Sequence, residues 1–214
     1  MSEAQHTIAA GTLDLAVLIS GGGRTLENLV ERINAGSLDA RIRLVISSNP
    51  AAFGLQRAAR LGLPAVTVAR KAHADRDSFS AAVWQHVRHA GASFTALAGF
   101  LSLLTIPDDF AHRVVNIHPA LLPAFGGPGM FGHHVHQAVL DAGCKVTGCT
   151  VHFCDQTYDT GPILVQQACD VREDDDADTL AARVFEAECD AYPRALSLIA
   201  AGRVTITGHR TRID

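Results

Sequence analysis

Apolar residues along this chain follow two rhythms. Residues 13–20, L-D-L-A-V-L-I-S, form a short and nearly continuous apolar run that stops at Gly21-Gly22-Gly23. From there Leu26, Leu29, Val30 and Ile33 recur at helical spacing until Gly36. A strand, a glycine turn and a helix account for that pattern. The alternation continues with an apolar run at 41–48, a helical stretch at 54–61, a brief strand at 65–68, a helix at 76–89, and buried strands at 94–97 and 113–118. Strands apolar on both faces, separated by helices, predict a doubly wound α/β fold with a Rossmann-like, mostly parallel sheet.

The second half changes character. Residues 119–132 are rich in proline and glycine, and a short helix is predicted near 136–142. Residues 146–153 and 163–170 read as two strands close enough in sequence to form an antiparallel pair. A helix over 178–201 places Leu180, Val184, Ala187 and Ala191 on one face, with Pro193 expected to kink or restart it. Residues 1–12 and 208–214 read as frayed tails, which leaves one domain over 13–207.

Composition adds exclusions. A hydrophobic content of 48% supplies a sizeable core, and a formal net charge of −4 offers no basic face for nucleic acid or an anionic membrane. The N-terminal residues lack the basic flank and apolar centre of a signal peptide, and no apolar run reaches membrane-spanning length, so a soluble cytoplasmic protein is expected. Five cysteines without a C-x-x-C pair suggest reduced packing thiols rather than a disulfide framework or zinc ribbon.

The glycine turn invites a dinucleotide reading, which fails twice. Leu26 stands where the third glycine belongs, and the second strand ends in Ser47-Ser48-Asn49 without the acidic residue that binds a ribose. A P-loop is also absent, since no G-K-[ST] follows. Two readings remain: a cradle of backbone amides for one phosphate, with Arg24 adding charge, or a tight turn without a ligand.

Residues 113–119, R-V-V-N-I-H-P, pose a sharper question. Positions two apart on a strand share a face, so Asn116 and His118 project together, and Pro119 holds them at the carboxyl end, where open α/β sheets bind ligands. An amide beside an imidazolium suits the oxygen charge that develops on a carbonyl under attack. A nearby carboxylate would keep the ring charged, and the candidate is Asp159 in the turn Y-D-T-G-P at 158–162. The alternative is a satisfied structural pair.

Taken in order, Ser20-Gly21-Gly22-Gly23, Ala98-Gly99-Phe100, Asn116-Ile117-His118-Pro119 with Leu121-Leu122-Pro123, Gly148-Cys149-Thr150-Val151-His152-Phe153 and Asp159-Thr160-Gly161-Pro162-Ile163 resemble the phosphoribosylglycinamide formyltransferases. The resemblance runs from about residue 13 to 206, and the wider folate-dependent formyltransferases share the Asn, His and Asp. It implies the formyltransferase fold and transfer of a formyl group from 10-formyltetrahydrofolate to the amine of glycinamide ribonucleotide, in de novo purine biosynthesis. Asn116, His118 and Asp159 would be catalytic, with Asp159 raising the pKa of His118, and no metal would be required. Gly23, Arg24 and Thr25 would hold the ribonucleotide phosphate, chiefly through backbone. Phe185, Glu186, Ala187 and Glu188 would supply the other ribonucleotide contact, with Glu188 at the ribose hydroxyls. Folate would lie along Leu101, Ser102, Leu103 and Leu104, beside Asn116 and under Asp155, Gln156, Thr157, Tyr158 and Asp159, with Arg76 near its glutamate tail. Ser102 stands where an arginine is often seen. The implied partners are these small molecules; a homodimer is compatible with the sequence.

Several features carry plainer readings. His133, His134 and His136 lack a fourth ligand in register and read as part of a mobile flap, with residues 125–132 as a long lid. Asp174, Asp175 and Asp176 read as a solvated turn favouring the helix that follows. Rival functions are a formyltetrahydrofolate deformylase, a methionyl-tRNA formyltransferase and a non-catalytic nucleotide-binding module. The first is expected to need an N-terminal regulatory domain and the second a C-terminal tRNA domain, and intact Asn116, His118 and Asp159 weigh against the third.

Overall fold

The computed structural model describes residues 5–214. In chain order the elements are β1 (Gln5–Thr7), β2 (Leu13–Ile19), α1 (Arg24–Asn34), β3 (Ala40–Ser47), α2 (Phe53–Arg60), β4 (Ala65–Thr67), α3 (Arg76–His89), β5 (Phe94–Leu97) and β6 (Val114–His118). There follow α4 (His133–Asp141), β7 (Val146–Phe153), β8 (Ile163–Asp170), α5 (Ala177–Ala200), β9 (Val204–Thr207) and β10 (Arg210–Ile213). Seven strands form one sheet in the order β4-β3-β2-β5-β6-β7-β8, parallel from β4 to β6 and antiparallel at β7–β8. That is the mixed, mostly parallel α/β sheet the apolar runs predict.

Contacts divide the chain into two units, Gly11–Asn116 and residues 5–10 with Ile117–Asp214. In the first, the chain lays β2, moves outward through β3 to β4, and then returns to place β5 on the other side of β2. The order therefore reverses between β2 and β5, the kind of position where α/β sheets open a crevice at their carboxyl edge. Leu15, Ala16, Val17, Leu18 and Ile19 are all buried, as expected of a strand covered on both faces. Burying one such aliphatic side chain contributes roughly 1.5–3 kcal/mol. Helix α3 starts at Arg76 because Asp75 caps it: the Ser78 amide donates to the Asp75 carboxylate at 2.8 Å, completing a capping box.

In the second unit α5 packs on β7 and β8, burying Leu180, Val184, Ala187 and Ala191 as its periodicity requires. Pro193 lies inside this helix of 24 residues, which does not restart there. Asp176 is its N-cap, accepting from the Thr179 amide at 2.8 Å. The solvated reading of the acidic turn fails at Asp175: its side chain is 2% exposed and pairs with Arg183 at 2.5 and 2.8 Å. That guanidinium holds the carboxyl well below the ordinary carboxylate range.

The chain ends also differ from expectation. Residues 1–4 of the expected tail lie outside the described residues, but β1 pairs antiparallel with β9, and β9 pairs with β10. Thr207 faces Arg210 across a two-residue connection whose first member, Gly208, has φ 56°, a geometry that short hairpin loops favour. Alternation in T-I-T and R-T-R-I marks these strands; charged, exposed side chains on β10 disguised them as a tail. All five cysteines are free, and burial pushes the Cys149 thiol up to about 12. Among the described residues no helix is long and apolar enough to cross a membrane.

Candidate active site

Strand β6 carries His118 to the sheet's carboxyl edge and ends there at Pro119. Beyond it a single buried hydroxyl holds the chain. Thr150 Oγ1 on β7 donates to the Ala120 carbonyl at 2.7 Å and accepts from the Leu122 amide at 3.0 Å, while Gln166 on β8 donates to the Leu122 carbonyl at 2.9 Å. The L-L-P segment is thereby tied to the β7–β8 pair of its own unit.

The chain next folds back over the histidine. Phe125 adopts φ 55°, and its carbonyl accepts from His118 Nε2 at 2.8 Å. Two residues later the Gly127 amide donates to Asp159 Oδ2 at 2.9 Å. Gly126 between them is closely covered: a Cβ there would press on Leu122 Cδ2 at 2.5 Å and on Asp159 Cβ at 3.2 Å.

Asp159 arrives from the connection between β7 and β8. The Asp155 carboxylate closes this turn, accepting from the Thr157 amide at 2.9 Å and the Thr160 hydroxyl at 2.8 Å. These bonds engage the Asp155 carboxylate in the loop's own structure. Asp159 sits at φ 58°, a left-handed conformation that aspartate tolerates better than most residues. Gly161 lets the turn close, since a Cβ on it would fall 1.9 Å from the Phe153 carbonyl oxygen. The result places Asp159 Oδ2 3.6 Å from His118 Nδ1 and Oδ1 3.5 Å from His152 Nε2. Side-chain exposures of 4%, 9% and 2% for His118, Asp159 and His152 make this a sequestered cluster.

Burial and the neighbouring carboxylate act on His118 in opposite directions. Burial disfavours an imidazolium at His118 and pulls the pKa below the ordinary value, against the opposing attraction of Asp159 and the bond to Phe125; His152 adds to the depression. Asp159 raises the pKa of His118, as expected from the sequence, but desolvation acts the other way and the net shift is downward. For Asp159 burial acts upward, but the hydrogen bond from His152, the charge of His118 and the Gly127 amide outweigh it, so the carboxyl lies below its ordinary value and is ionised. His152 and the backbone groups of Phe125 and Gly127 escaped the sequence reading. Of these, only His152 left a signal, as a polar residue inside the apolar strand V-T-G-C-T-V-H-F.

The histidine-rich segment resolves differently from a flap. It is the helix α4, in which His133 pairs with Asp178 at 2.6 Å and His134 meets the Phe131 ring edge-on at 5.4 Å between centroids. His136 is buried, its Nδ1 finds no hydrogen-bond partner among the described residues, and burial with the neighbouring His133 and His118 lowers its pKa to about 4. No group of three or more His, Cys, Asp or Glu among the described residues is placed to hold a metal.

In the Gly11–Asn116 unit, Gly23 caps α1 from the left-handed region at φ 77° and makes no side-chain cap. Helix α2 braces this turn. The Gly54 amide donates to Gly21 O at 2.9 Å, and Arg57 Nε donates to Gly22 O at 2.9 Å. Arg57 and Arg60 also pair with Glu27, offsetting a negative charge in the first turn of α1. Any Cβ on Gly23 would meet Gly54 Cα at 2.7 Å. Arg24 is exposed and Thr25 half-buried. Ser20 ties the glycine turn to the segment after β5: its amide donates to Gly99 O at 3.0 Å and its hydroxyl accepts from the Leu101 amide at 3.0 Å. Leu101 is 50% exposed, Leu104 is buried, and Ser102 and Leu103 lie between. Arg76 is exposed at the first turn of α3, and Asn116 is half-buried on β6.

On α5, Phe185 and Glu188 are half-buried, Glu186 is exposed and Ala187 faces the core. Gln156 and Thr157 are exposed, and Tyr158 is half-buried beside Asp159. The structure thus brings His118 and Asp159 together and adds His152.

Comparison with known proteins agrees with this arrangement. A family model described as Formyl transferase matches residues 13–196. The chain is 39% identical over 211 residues to the trifunctional purine biosynthetic protein adenosine-3 of Drosophila melanogaster, covering 97% of this chain but only 15% of that protein. Among solved structures, glycinamide ribonucleotide transformylase 1 from Symbiobacterium toebii aligns with a TM-score of 0.89 and 38% identity, covering 94% of each chain. A formyltetrahydrofolate deformylase from Pseudomonas syringae pv. tomato aligns with a TM-score of 0.83 and 25% identity over 95% of this chain and 66% of that one. With the sheet order, the His–Asp cluster and a family match over most of its length in agreement, the chain belongs to the formyl transferase family.

Proposed function

We propose that the chain transfers the formyl group of 10-formyltetrahydrofolate to the primary amine of glycinamide ribonucleotide, giving formylglycinamide ribonucleotide and tetrahydrofolate, in the cytoplasm. The observation that carries this reading is the buried imidazole of His118, backed by Asp159 at 3.6 Å on one nitrogen and committed as a donor on the other. In the first step the neutral amine forms a bond to the formyl carbon, and the carbonyl electron pair moves to oxygen. Asn116 donates to that oxygen. His118 Nε2–H joins it by exchanging the Phe125 carbonyl for the oxyanion. The adduct then collapses with cleavage of the bond to folate N10. The incoming amine gives up one proton and N10 gains one, with Asp159 mediating the transfer through water. Each oxyanion donor of this kind is worth roughly 10²–10³ in kcat. The substrate amine is itself the nucleophile, so the scheme needs no metal and no covalent enzyme intermediate.

The amides of Gly23, Arg24 and Thr25 are the proposed seat of the ribonucleotide phosphate. Glu188 serves ribose hydroxyls, with Phe185 and Glu186 beside it and Ala187 limited to backbone contact. Leu101, Ser102, Leu103 and Leu104 on one hand, and Asp155, Gln156, Thr157 and Tyr158 on the other, form the proposed folate contacts, with Arg76 at the tail. Similarity to a deformylase supports one competing reading, in which water replaces the amine. Purified protein is mixed with formyl donor, with and without glycinamide ribonucleotide, and folate absorbance is followed. Turnover only in the presence of ribonucleotide is expected. Donor hydrolysis without it overturns the proposal in favour of a deformylase, and no turnover in either mixture leaves a binding module.

A further inference from the structure

Arg70 follows β4 and is fixed by three contacts. Its amide donates to Ser48 O at 3.0 Å, its Nη1 donates to His73 O at 3.0 Å, and its guanidinium carbon lies 5.6 Å from the centre of the Phe79 ring. Phe79, fully buried on α3, stacks in turn on Phe100 with 6.2 Å between centroids and 11° between planes, immediately before the 101–104 segment. A second link ties the same helix end to that segment: Ser80 Oγ donates to Arg76 O at 2.7 Å and accepts from the Thr105 amide at 2.9 Å. Arg70 and Arg76 are thus both anchored through α3 to one stretch of chain. Charge sets Arg70 apart. The half-buried guanidiniums of Arg57 and Arg183 each pair with a carboxylate, whereas Arg70 is half-buried with no carboxylate partner among the described residues. The acidic side chains nearest in sequence are engaged: Asp75 accepts from the Ser78 amide at 2.8 Å and Asp77 from the Thr105 hydroxyl at 2.6 Å. A partly desolvated cation, held in place and left without a counter-charge, favours an anionic ligand.

We propose that Arg70 binds a carboxylate of a folate donor that carries more than one glutamate, beyond the carboxylate met by Arg76, so that the chain distinguishes donors by the length of their γ-glutamyl tail. Each further γ-linked glutamate adds one carboxylate. Exposed Lys71, next in sequence, adds positive charge beside the fixed guanidinium. Such a contact is made equally in the ground and transition states, so it acts on KM and leaves kcat alone. The identity of the ligand rests on the formyl-transfer reading, in which folate lies along residues 101–104; the unpaired guanidinium and its anchoring do not.

Titration calorimetry with tetrahydrofolate bearing one or three glutamates, on wild type and Arg70→Gln, tests this, with KM for the matching formyl donors measured alongside. Wild type should bind the triglutamate about 3–10-fold more tightly, between the worth of an exposed ion pair and that of a charge-assisted bond. Added salt should erode that advantage. In Arg70→Gln it should shrink below about 2-fold, while kcat and the Kd of the monoglutamate stay as in wild type. Equal binding of the two folates by wild type, or an undiminished advantage in Arg70→Gln, would overturn the proposal and leave formyl transfer standing. A raised KM for glycinamide ribonucleotide alone would put Arg70 at the phosphate and overturn it as well. Failure of both folates to bind would overturn it together with the function it rests on. Should Arg70→Gln not fold, Arg70→Lys decides: it keeps the charge but loses the planar fork, and should lose at least half of the advantage. Full retention there would overturn the proposal.

Discussion

Gly161→Ala isolates what the D-T-G-P turn does for the cluster. Its Cβ would lie 1.9 Å from the Phe153 carbonyl oxygen and 2.9 Å from the carbonyl carbon, so the obstacle is backbone and cannot rotate away. Relief requires the turn to withdraw by about 1 Å from β7, a displacement that threatens the bond from the Phe153 amide to Pro162 O at 2.9 Å. Overpacking of this kind costs about 1–3 kcal/mol and loss of one backbone bond about 0.5–1.5, so stability should fall by roughly 2–4 kcal/mol. Asp159 lies two residues away and shares the movement. A misplacement of about 1 Å in a catalytic group is worth about 10²-fold in rate. Urea denaturation followed by circular dichroism reads the first quantity, and kcat under conditions where the variant is fully folded reads the second. A variant within about 0.5 kcal/mol of wild type and with full activity would refute the close approach of turn and strand, and with it the account of how Asp159 is held.

Asn116→Ala and His118→Ala should each lower kcat by roughly 10²-fold or more with a native near-ultraviolet spectrum, and the double variant should be less impaired than the product of the two, because both act on one oxyanion. Full activity in either folded single variant would remove that residue from the mechanism. His136 supplies a pH test: its folded-state pKa of about 4 lies below the unfolded imidazole value of 6.5, so the unfolded chain binds a proton that the fold refuses between those values. Stability should be fully present above about pH 6.5, fall by at most about 1.4 kcal/mol per pH unit on the way to pH 4, and lose nothing further from this group below that. His136→Leu should flatten that part of the urea-midpoint profile, and an unchanged slope would show that His136 is not the group responsible.

How much was legible beforehand follows from the range of the forces involved. Apolar periodicity is a local property, so β2, α3, β5, β7 and β8 can be read from the chain within a residue of where they stand, and the alternation of strands and helices determines the sheet class. Asn116 and His118 stand out because polar residues interrupt a buried run and a proline fixes where it ends. Three kinds of feature needed the tertiary structure. Strand β1 depends on pairing with β9 about 200 positions away, which no local window contains, and the short β10 reveals itself only as the partner of β9. Asp175 looks solvated in an acidic run until Arg183, two turns into the following helix, covers it. The charge of His118 is a balance between desolvation and Asp159, and only the packed protein sets how much water the ring has lost. His152 has the same origin: in sequence it is one polar residue in a strand, and it becomes a partner of Asp159 only because Gly161 lets the turn close against β7. Sequence alone determined which side chains were available for the chemistry; burial and backbone approach, which exist only after folding, decided how closely they meet and how much water surrounds them.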